Sequence, residues 1–483
     1  MTVIYEINTL VWLNELTARY GRPVTLGEVP EEVWDEVARP GIDAVWLMGV
    51  WERSPAGLEI ALRNEELLSS FRHALPDLAT GDIAGSPYCV RNYVVDPGIG
   101  GPAGLAEARA RLAARGVRLI LDHVPNHVAP DHPWLTERPD CLVHGTPDDL
   151  ARDPEAFLKA GDQVYARGRD PYFPPWPDVV QLNAFADDLR AAAVETLVSI
   201  GDQADGVRCD MAMLLMNDVF AKTWGHRAGA APAEDFWSYV IPKVREHHPD
   251  LLFVAEAYWD LEWALQQQGF DHCYDKRLYD RLVHEDAESV RAHLRADLGY
   301  QRRLVRFMEN HDEPRAATVL PGDRERAAAV AVATLPGATL WHEGQFEGRR
   351  VRLPVFLSRR PQEPADEALH AFYERLVTAT AHVREGDWQL LDCAGWPDND
   401  THRNLLAWSW SAGQDRYVVV INYSDRPAQG KLPLPWTDLR GRSCTLAELL
   451  DENTYDREGD ELAGPGLFVA LDPWHWHLLS VRR

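Results

Sequence analysis

The sequence has 483 residues, with 75 Asp and Glu against 49 Lys and Arg, and so a formal net charge of −26. This charge repels nucleic acid and anionic membranes, so neither is expected as a partner. A hydrophobic content of 46% excludes global disorder, and the length fits two or three domains or one barrel with additions.

The N-terminal residues 1–12 lack a basic start, a long apolar segment and a small-residue cleavage site, so no signal peptide is predicted. No uninterrupted apolar run is long enough to span a bilayer. The six cysteines are scattered without a close CxxC pair, a pattern typical of reduced structural cysteines. Together these features predict a cytoplasmic protein.

Strand and helix patterns alternate along most of the chain, which indicates α/β organisation. The predicted strands are residues 4–7, 43–48, 117–122, 206–210, 251–256, 270–274, 304–308 and 338–341. The predicted helices are residues 31–39, 104–114, 187–199, 234–247, 288–298, 324–334 and 366–382. Eight strands with intervening helices fit a (β/α)₈ barrel.

The alternation is interrupted in three places. Residues 52–85 are polar and predict a loop with short helices, whereas residues 123–178 lack periodicity and are too long for a structureless loop. After residue 386 the pattern changes to short strands separated by turn residues. The prediction is therefore an α/β fold with a catalytic TIM barrel from residues 1–122 and 183–383, an inserted subdomain at 123–182 after strand three, and a C-terminal all-β sandwich at 386–483.

Two predicted strands end on carboxylates, Asp210 and Glu256. Side chains alternate along a strand, so Arg208 shares a face with Asp210 and is expected to keep it ionised. Glu256 follows an apolar approach, residues 251–255, where desolvation is expected to raise its pKa. One carboxyl group with a lowered pKa and one with a raised pKa can serve as the nucleophile and the general acid that glycosidic bond cleavage requires.

The active site of such a barrel lies at the C-terminal ends of its strands. The polar residues at those ends are Asp122, Asn126, His127, Arg208, Asp210, Glu256 and the run Glu309-Asn310-His311-Asp312. Any one of them would be read as a strand-capping residue. Their occurrence at successive strand ends favours a catalytic site.

These stretches resemble the motifs of the α-amylase family of glycoside hydrolases (family thirteen). The similar stretches are Asp122-His123-Val124-Pro125-Asn126-His127, Val180-Gln181-Leu182-Asn183, Gly206-Val207-Arg208-Cys209-Asp210, Glu256 with Trp259, Glu309-Asn310-His311-Asp312, and the segment from Ser86 to Pro97 that contains Tyr88. The resemblance covers roughly residues 1–380, and as a set these motifs are highly specific.

The resemblance implies roles for eight residues. It implies Asp210 as nucleophile, Glu256 as general acid/base and Asp312 as transition-state stabiliser. His127, Arg208 and His311 would bind the sugar at the scissile bond, Tyr88 would stack on it, and Asp122 would brace the site as well as touch substrate. An oxocarbenium-like transition state needs these three carboxylate functions.

The sequence departs from the family after Asp210. The family's endo-acting members usually carry a Lys-His pair that helps bind the acceptor sugar and calcium. This chain has Met213 and Leu214 at those positions. Asn126, another usual calcium ligand, is present and is expected to brace its loop by hydrogen bonds instead. We therefore predict no required metal and no cofactor, and an apolar acceptor side at Met213 and Leu214.

A basic group, Lys276, Arg277, Arg349, Arg350 and Arg352, follows strands six and eight. The favoured interpretation is surface ion pairing in an acidic protein. The alternative is a phosphate subsite, because the last loops of such barrels often bind phosphate.

The leading hypothesis is a retaining α-glycosidase or transglycosylase acting on a small α-glucoside or oligosaccharide. A second hypothesis is a glycosyltransferase that uses a sugar phosphate of the maltosyl phosphate type. A third is a catalytically inactive carbohydrate-binding relative, against which the intact Asp210, Glu256 and Asp312 set argues. No feature of the sequence specifies an oligomeric state.

Overall fold

A computed structural model of the protein describes residues 2–482. Eight parallel strands close into a barrel in the order β1-β8-β7-β6-β5-β4-β3-β2. They are β1 Val3–Asn8, β2 Ala44–Met48, β3 Arg118–His123, β4 Gly206–Cys209, β5 Leu252–Ala255, β6 His272–Tyr274, β7 Leu304–Arg306 and β8 Ala338–His342. Their residues are almost all buried, as expected for strands covered on both faces. The (β/α)₈ prediction is confirmed.

The barrel register brings the ends of neighbouring strands together. Arg208 in β4 lies level with Asp122 in β3 and with Val254 in β5. Glu6 in β1 lies level with Trp46 in β2 and His342 in β8. Parallel pairing places every strand's C-terminal end at one rim, so polar residues far apart in sequence converge there.

Helices surround the barrel, and most lie close to their predicted ranges. They are Thr9–Tyr20, Glu31–Val37, Gly101–Ala113, Asp187–Gln203, Asn217–Trp224, Phe236–Arg245, Glu262–Gln267, Lys276–His284, Ala287–His293, Leu298–Gln301, Ala316–Val319, Asp323–Thr334 and Glu367–Thr380. The helix predicted over 288–298 ends earlier, because Asp297 caps a separate turn by accepting from the N–H groups of Gly299 and Tyr300.

Two segments interrupt the barrel before β4. The first contains helices Pro55–Ala61 and Glu65–Ala74 and the paired strands Trp51–Arg53 and Val90–Val95. The second follows β3 and has two antiparallel pairs, His127–Val128 with Val180–Gln181 and Phe157–Ala160 with Gln163–Ala166, besides helices Trp134–Glu137 and Pro147–Arg152. The second segment covers one side of the barrel mouth.

The C-terminal part is all-β apart from short helical turns, as predicted. Its six-stranded antiparallel sheet has the order Asp387–Leu391, Leu405–Ala412, Asp415–Asn422, Trp476–Arg482, Ser443–Glu448, Thr454–Glu458. A two-stranded sheet, Ala428–Leu432 with Leu467–Leu471, packs on one face. Alternation along the second strand sends Leu405 and Ala407 toward that sheet, and Trp408 and Trp410 toward the barrel.

The contact between the sheet and the barrel is fixed by a buried hydrogen bond. Trp410 Nε1 donates to the carbonyl of Thr334 at 2.7 Å, which satisfies the indole N–H in an otherwise apolar interface.

Across residues 2–482, no helix combines the length and apolarity that crossing a bilayer demands.

Candidate active site

A cavity of about 370 Å³ opens at the C-terminal rim of the barrel. Five of the predicted site residues line it: Tyr88, His127, Asp210, Glu256 and Asp312. The other three, Asp122, Arg208 and His311, are buried next to them. All eight predicted residues therefore meet at one place, although they come from the ends of four strands, β3, β4, β5 and β7, and from the two inserted segments.

Arg208 joins the carboxylates at the base of the cavity. Its Nη1 lies 2.8 Å from Asp210 Oδ1, and its Nη2 lies 2.8 Å from Glu256 Oε2. Asp122 Oδ1 lies 3.7 Å from Nη1. The guanidinium is 1% exposed, and a charge so deeply buried is tolerated only when it is paired. One fixed cation thus holds Asp210 and Glu256 beside each other.

Glu256 is held as a proton donor or acceptor. Its Oε2 accepts the Met211 N–H at 2.7 Å, and its Oε1 accepts the Tyr258 hydroxyl at 2.8 Å. Burial raises the pKa of Glu256 to about 7, although Arg208 opposes the shift. The prediction of a raised pKa is confirmed.

The pKa of Asp210 is shifted in the opposite direction from the one predicted. Burial raises the pKa of Asp210 above its ordinary value, although Arg208 opposes the rise. The expectation that Arg208 would lower it on balance is wrong, because Arg208 is shared with Glu256 and Asp122 and the Asp210 side chain is almost fully removed from water. Asp312 adds to the rise.

The carboxyl group with the lowered pKa is that of Asp312. Burial acts to raise its pKa, but His311 more than offsets this and lowers it to about 2. His311 Nε2 lies 3.1 Å from Asp312 Oδ2 and 2.8 Å from the Tyr88 hydroxyl. Asp312 is consequently the fixed anion of the site, and Glu256 is the group poised to exchange a proton near neutral pH.

Asp122 and His127 support the same wall of the cavity. The Gly49 N–H donates to Asp122 Oδ2 at 3.0 Å, and burial raises the pKa of Asp122 to about 6. Burial lowers the pKa of His127 to about 4, so this imidazole is neutral at pH 7. Gln181 Nε2 donates to Asn126 Oδ1 at 2.9 Å, which joins the beginning and the end of the second inserted segment, the bracing role predicted for Asn126.

The residues after Asp210 do not form the predicted apolar acceptor side. Met213 and Leu214 lie in the 3₁₀ turn Ala212–Leu215 and are 0% and 2% exposed. Met211, with φ of 42°, turns into the cavity instead. The left-handed backbone at Met211 redirects the chain, so the strand alternation used to place side chains stops at Asp210.

Several residues of the cavity were not predicted from the sequence. They are Ser86, Trp176, Asp178, Val179, Met211, Tyr258 and Phe356. Tyr258 had a usable signal, since it follows Glu256 by two residues, the spacing of one strand face. Burial raises the pKa of Asp178 to about 6, but this residue lies in the inserted segment, where no periodicity indicates its position.

An aromatic pair joins Trp259, three residues after Glu256, to Tyr172 of the second inserted segment. The rings of Tyr172 and Trp259 meet edge to face with centroids 4.9 Å apart, and Tyr172 is 58% exposed. Trp259 and Asp260 both have φ of 62°, a conformation that costs on the order of 1–3 kcal/mol each in a non-glycine residue. An ion pair from Arg277 to Asp260 at 2.5 Å ties this turn to the helix that follows β6.

The predicted basic group is largely engaged in local contacts. Lys276 lies 3.2 Å from Glu313, Arg277 pairs with Asp260, and Arg349 lies 3.6 Å from Glu15. Arg352 donates to the main-chain carbonyl of Asp312 at 2.8 Å. These contacts agree with the favoured interpretation of surface ion pairing.

Within residues 2–482, no group of three or more His, Cys, Asp and Glu side chains is arranged to hold a metal ion. The absence of a required metal stays a prediction, and a chelation experiment tests it. All six cysteines are unpaired, and five of them are buried.

The chain is similar to curated amylases. It is 25% identical over 329 residues to alpha-amylase MalA of Haloarcula japonica, covering 66% of this chain and 44% of the relative. It is 23% identical over 293 residues to alpha-amylase 3 of Dictyoglomus thermophilum, covering 57% and 56% of the two chains. The chain thus spans about half the length of these relatives. No family model matches the sequence.

A shorter match extends to a transferase. The alpha-1,4-glucan:maltose-1-phosphate maltosyltransferase of Burkholderia pseudomallei is 24% identical over 203 residues, which cover 41% of this chain and 15% of the relative. Among solved structures, the alpha-amylase of Geobacillus thermoleovorans in complex with acarbose superposes with a TM-score of 0.69 at 16% identity, covering 100% of this chain and 98% of the other. That likeness establishes the fold.

The order of the motifs, the closed barrel with its C-terminal all-β part and the amylase relatives agree with one another. In its motifs, its fold and its curated relatives, the chain is similar to the α-amylase family of glycoside hydrolases.

Proposed function

We propose that the protein is a retaining α-glycosidase or transglycosylase that acts on short α-glucosides through a covalent glycosyl intermediate on Asp210. One observation carries the proposal: neighbouring nitrogens of the buried Arg208 hold the carboxylates of Asp210 and Glu256, each at 2.8 Å, on the wall of one cavity. Retaining enzymes need this closeness, about 5–5.5 Å between the carboxyl groups, for the nucleophile and the acid to reach one bond.

In the first half of the reaction, Asp210 attacks the anomeric carbon and the bond from that carbon to the glycosidic oxygen breaks. Glu256 gives its proton to the departing oxygen, so the leaving sugar departs with a neutral hydroxyl group. Asp312 stabilises the positive charge that develops on the sugar ring in the transition state. The raised pKa of Glu256, about 7, supports its role as the acid.

In the second half, the Glu256 carboxylate takes a proton from water or from a sugar hydroxyl. The resulting nucleophile attacks the anomeric carbon, and the ester bond to Asp210 breaks. Water gives hydrolysis, and a sugar hydroxyl gives transfer. Two inversions leave the product with the α-configuration of the substrate.

The surroundings support a glucoside of a few sugar units. Tyr88 and His127 line the cavity together with Asp210, and the aromatic edge formed by Tyr172 and Trp259 begins three residues after Glu256 in the chain. Because the acid protonates the leaving oxygen, this edge is the side on which the leaving or accepting sugar would lie. The solved relative from Geobacillus thermoleovorans was obtained with acarbose, which supports an oligosaccharide ligand.

A glycosyltransferase that uses a sugar phosphate is the second candidate, supported by the match to the Burkholderia pseudomallei maltosyltransferase. The basic residues available for a phosphate argue against it. Lys276, Arg277 and Arg349 already pair with carboxylates, and a phosphate would have to displace those contacts. We therefore favour a neutral glucoside.

A substrate panel tests the proposal. The purified protein is incubated with an aryl α-glucoside, maltose, maltotriose and soluble starch, with and without millimolar inorganic phosphate, and products are followed by NMR. We expect turnover of the small glucosides, α-anomeric products first, and no effect of phosphate or of Arg349→Ala.

Four outcomes would contradict it. Early β-anomer would exclude retention, a phosphate-dependent reaction would favour the transferase, and efficient random cleavage of starch would exclude both. No turnover above that of Asp210→Ala would favour an inactive binding relative.

The unpaired cysteines suit a reducing compartment, and the predicted cytoplasmic location is tested by cell fractionation.

A further inference from the structure

Glu6 is a buried carboxylate to which neither the motifs nor the strand-end analysis drew attention. It lies in β1, is 0% exposed, and its Oε1 lies 2.5 Å from Nδ1 of His311, which is 305 residues away in sequence. Its Oε2 has no hydrogen-bond partner within residues 2–482. A carboxylate removed from water in this way is costly unless a cation faces it.

His311 is held at both ring nitrogens. Nδ1 faces Glu6, while Nε2 lies 3.1 Å from Asp312 Oδ2 and 2.8 Å from the Tyr88 hydroxyl. A neutral imidazole carries one N–H, whereas two facing carboxylates are both satisfied only when both nitrogens are protonated. The Tyr88 ring stacks on the imidazole at 5.4 Å, and the Trp46 ring meets it edge-on at 5.5 Å, so the plane of the imidazole is held between two aromatic rings.

The charges agree with this geometry. Burial acts to lower the pKa of His311, but Asp312 and Glu6 more than offset burial and raise it well above its ordinary value. His311 in turn is the largest influence that lowers the pKa of Asp312. The three groups therefore form a buried row of alternating charge, Glu6 negative, His311 positive and Asp312 negative.

Other titratable groups face this row. Asp122 of β3 favours a cationic His311, while His342 of β8, whose pKa burial lowers well below its ordinary value, is neutral. Burial also raises the pKa of Tyr88 well above its ordinary value, so its hydroxyl stays protonated. Among these neighbours only Glu6 contacts Nδ1, and it is the one placed to decide whether that nitrogen keeps its proton.

We propose that Glu6 is a positioning residue of the active site, whose buried carboxylate keeps His311 a cation with its Nε2–H directed at Asp312 and Tyr88. Asp312 is thereby presented to the sugar as an anion of fixed orientation. The inference rests on the proposed role of Asp312 for its catalytic consequence, but the protonation of His311 is a separate and measurable claim.

The first experiment compares Glu6→Gln with Glu6→Asp. Gln keeps the size and one hydrogen bond to Nδ1 but removes the charge, so His311 becomes free to lose a proton near neutral pH. We expect kcat/KM of Glu6→Gln to fall by about 10- to 100-fold, the range for loss of one charge-assisted hydrogen bond. The ratio of variant to wild-type activity should decline as pH rises from about 5 to 8, because the cation survives only at low pH. Glu6→Asp should keep this ratio flat.

Glu325→Gln is the control for replacing a buried glutamate outside the site. Glu325 is also a buried glutamate, 3% exposed, and it accepts a hydrogen bond from Tyr373 rather than from a site residue. The same substitution there should leave the activity ratio independent of pH. A flat ratio for Glu6→Gln as well would reduce Glu6 to a structural role and overturn the proposal.

The second experiment observes the ring itself. In protein labelled with ¹⁵N-histidine, the His311 signals are assigned by comparison with His311→Gln and followed with pH. We expect both ring nitrogens to carry protons across about pH 5–8 in the wild type, and one of them to lose its proton within this range in Glu6→Gln. A singly protonated His311 in the wild type at pH 7 would refute the proposal, even if Glu6→Gln failed to fold or the protein acted on no glucoside.

Discussion

At the scale of single residues, the site divides its ionisation states by sharing one arginine. Asp122, Asp210 and Glu256 all lie within 3.7 Å of Arg208, and burial raises the pKa of each of them. Asp312 has His311 beside it, and its pKa is lowered to about 2. The carboxyl group thus supplies both a proton donor, at Glu256, and a permanent anion, at Asp312, because the neighbouring cation differs.

Substitution of the three carboxylates gives the first prediction. Asp210→Ala, Glu256→Gln and Asp312→Asn should each lower kcat by about 10²-fold or more, since each removes a group that acts in the transition state. Circular dichroism and the melting temperature should show that the fold persists. Near-normal activity of Glu256→Gln on a glucoside with a poor leaving group would show that another residue is the acid.

The pH dependence gives the second prediction. Glu256 must be protonated to act as the acid, and its pKa is about 7, so activity should fall as pH rises above that value. For a poor leaving group, kcat/KM should decrease about tenfold per pH unit on this limb. The leaving oxygen of an aryl glucoside with a good leaving group needs less protonation, so its kcat should decrease less steeply as pH rises. A kcat/KM that stays constant from about pH 6 to 9 on maltose would contradict the assignment.

At the scale of elements, the entrance to β8 depends on a glycine. Gly337 has φ of 105°, and a Cβ there would lie 2.4 Å from the carbonyl oxygen of Leu304 in β7. The close approach of the two backbones is what brings β8 into register with β7. A residue with a side chain at position 337 could not make this close approach.

Replacement of this glycine gives the third prediction. Gly337→Ala should lower the free energy of unfolding by more than the ~1–3 kcal/mol of a strained φ alone, because the methyl group also meets backbone. Gly116→Ala is the control, since Gly116 has φ of 73° before β3 and nothing within 4 Å of its Cβ position. Urea unfolding of both variants compares them, and equal losses would mean that the contact with Leu304 is relieved at no cost.

At the scale of the whole molecule, direct contacts join the second inserted segment and the C-terminal sheet to the barrel. In the second inserted segment, Arg169 Nη2 donates to the carbonyl of Thr223 in the helix after β4 at 2.8 Å, and Trp410 ties the sheet to Thr334.

Chelation gives the fourth prediction. Treatment with EDTA should leave both the activity and the melting temperature unchanged, because Met213 and Leu214 supply no oxygen or imidazole where the family's calcium site needs one, and most calcium sites take six to eight oxygens. Calcium bound at Asn126, and lost together with activity on EDTA treatment, would contradict the prediction. Readdition of calcium to the treated protein serves as the control.

Local sequence patterns were sufficient for the barrel and for the position of its site. Asp122, Asp210, Glu256 and Asp312 each follow a short apolar strand, and parallel strands in one barrel must end at the same rim. The raised pKa of Glu256 was predictable for the same reason, since the residues before it are apolar and bury it.

Only the tertiary structure decided how these residues divide their roles. The raised pKa of Asp210 follows from an arginine shared by three carboxylates, and the burial of Met213 and Leu214 follows from the left-handed turn at Met211. The sequence by itself determined which side chains reach the rim, because strand ends are set by local periodicity. It did not determine the contact of Glu6 with His311 across 305 positions, because burial and charge pairing depend on distances between elements that no local pattern encodes.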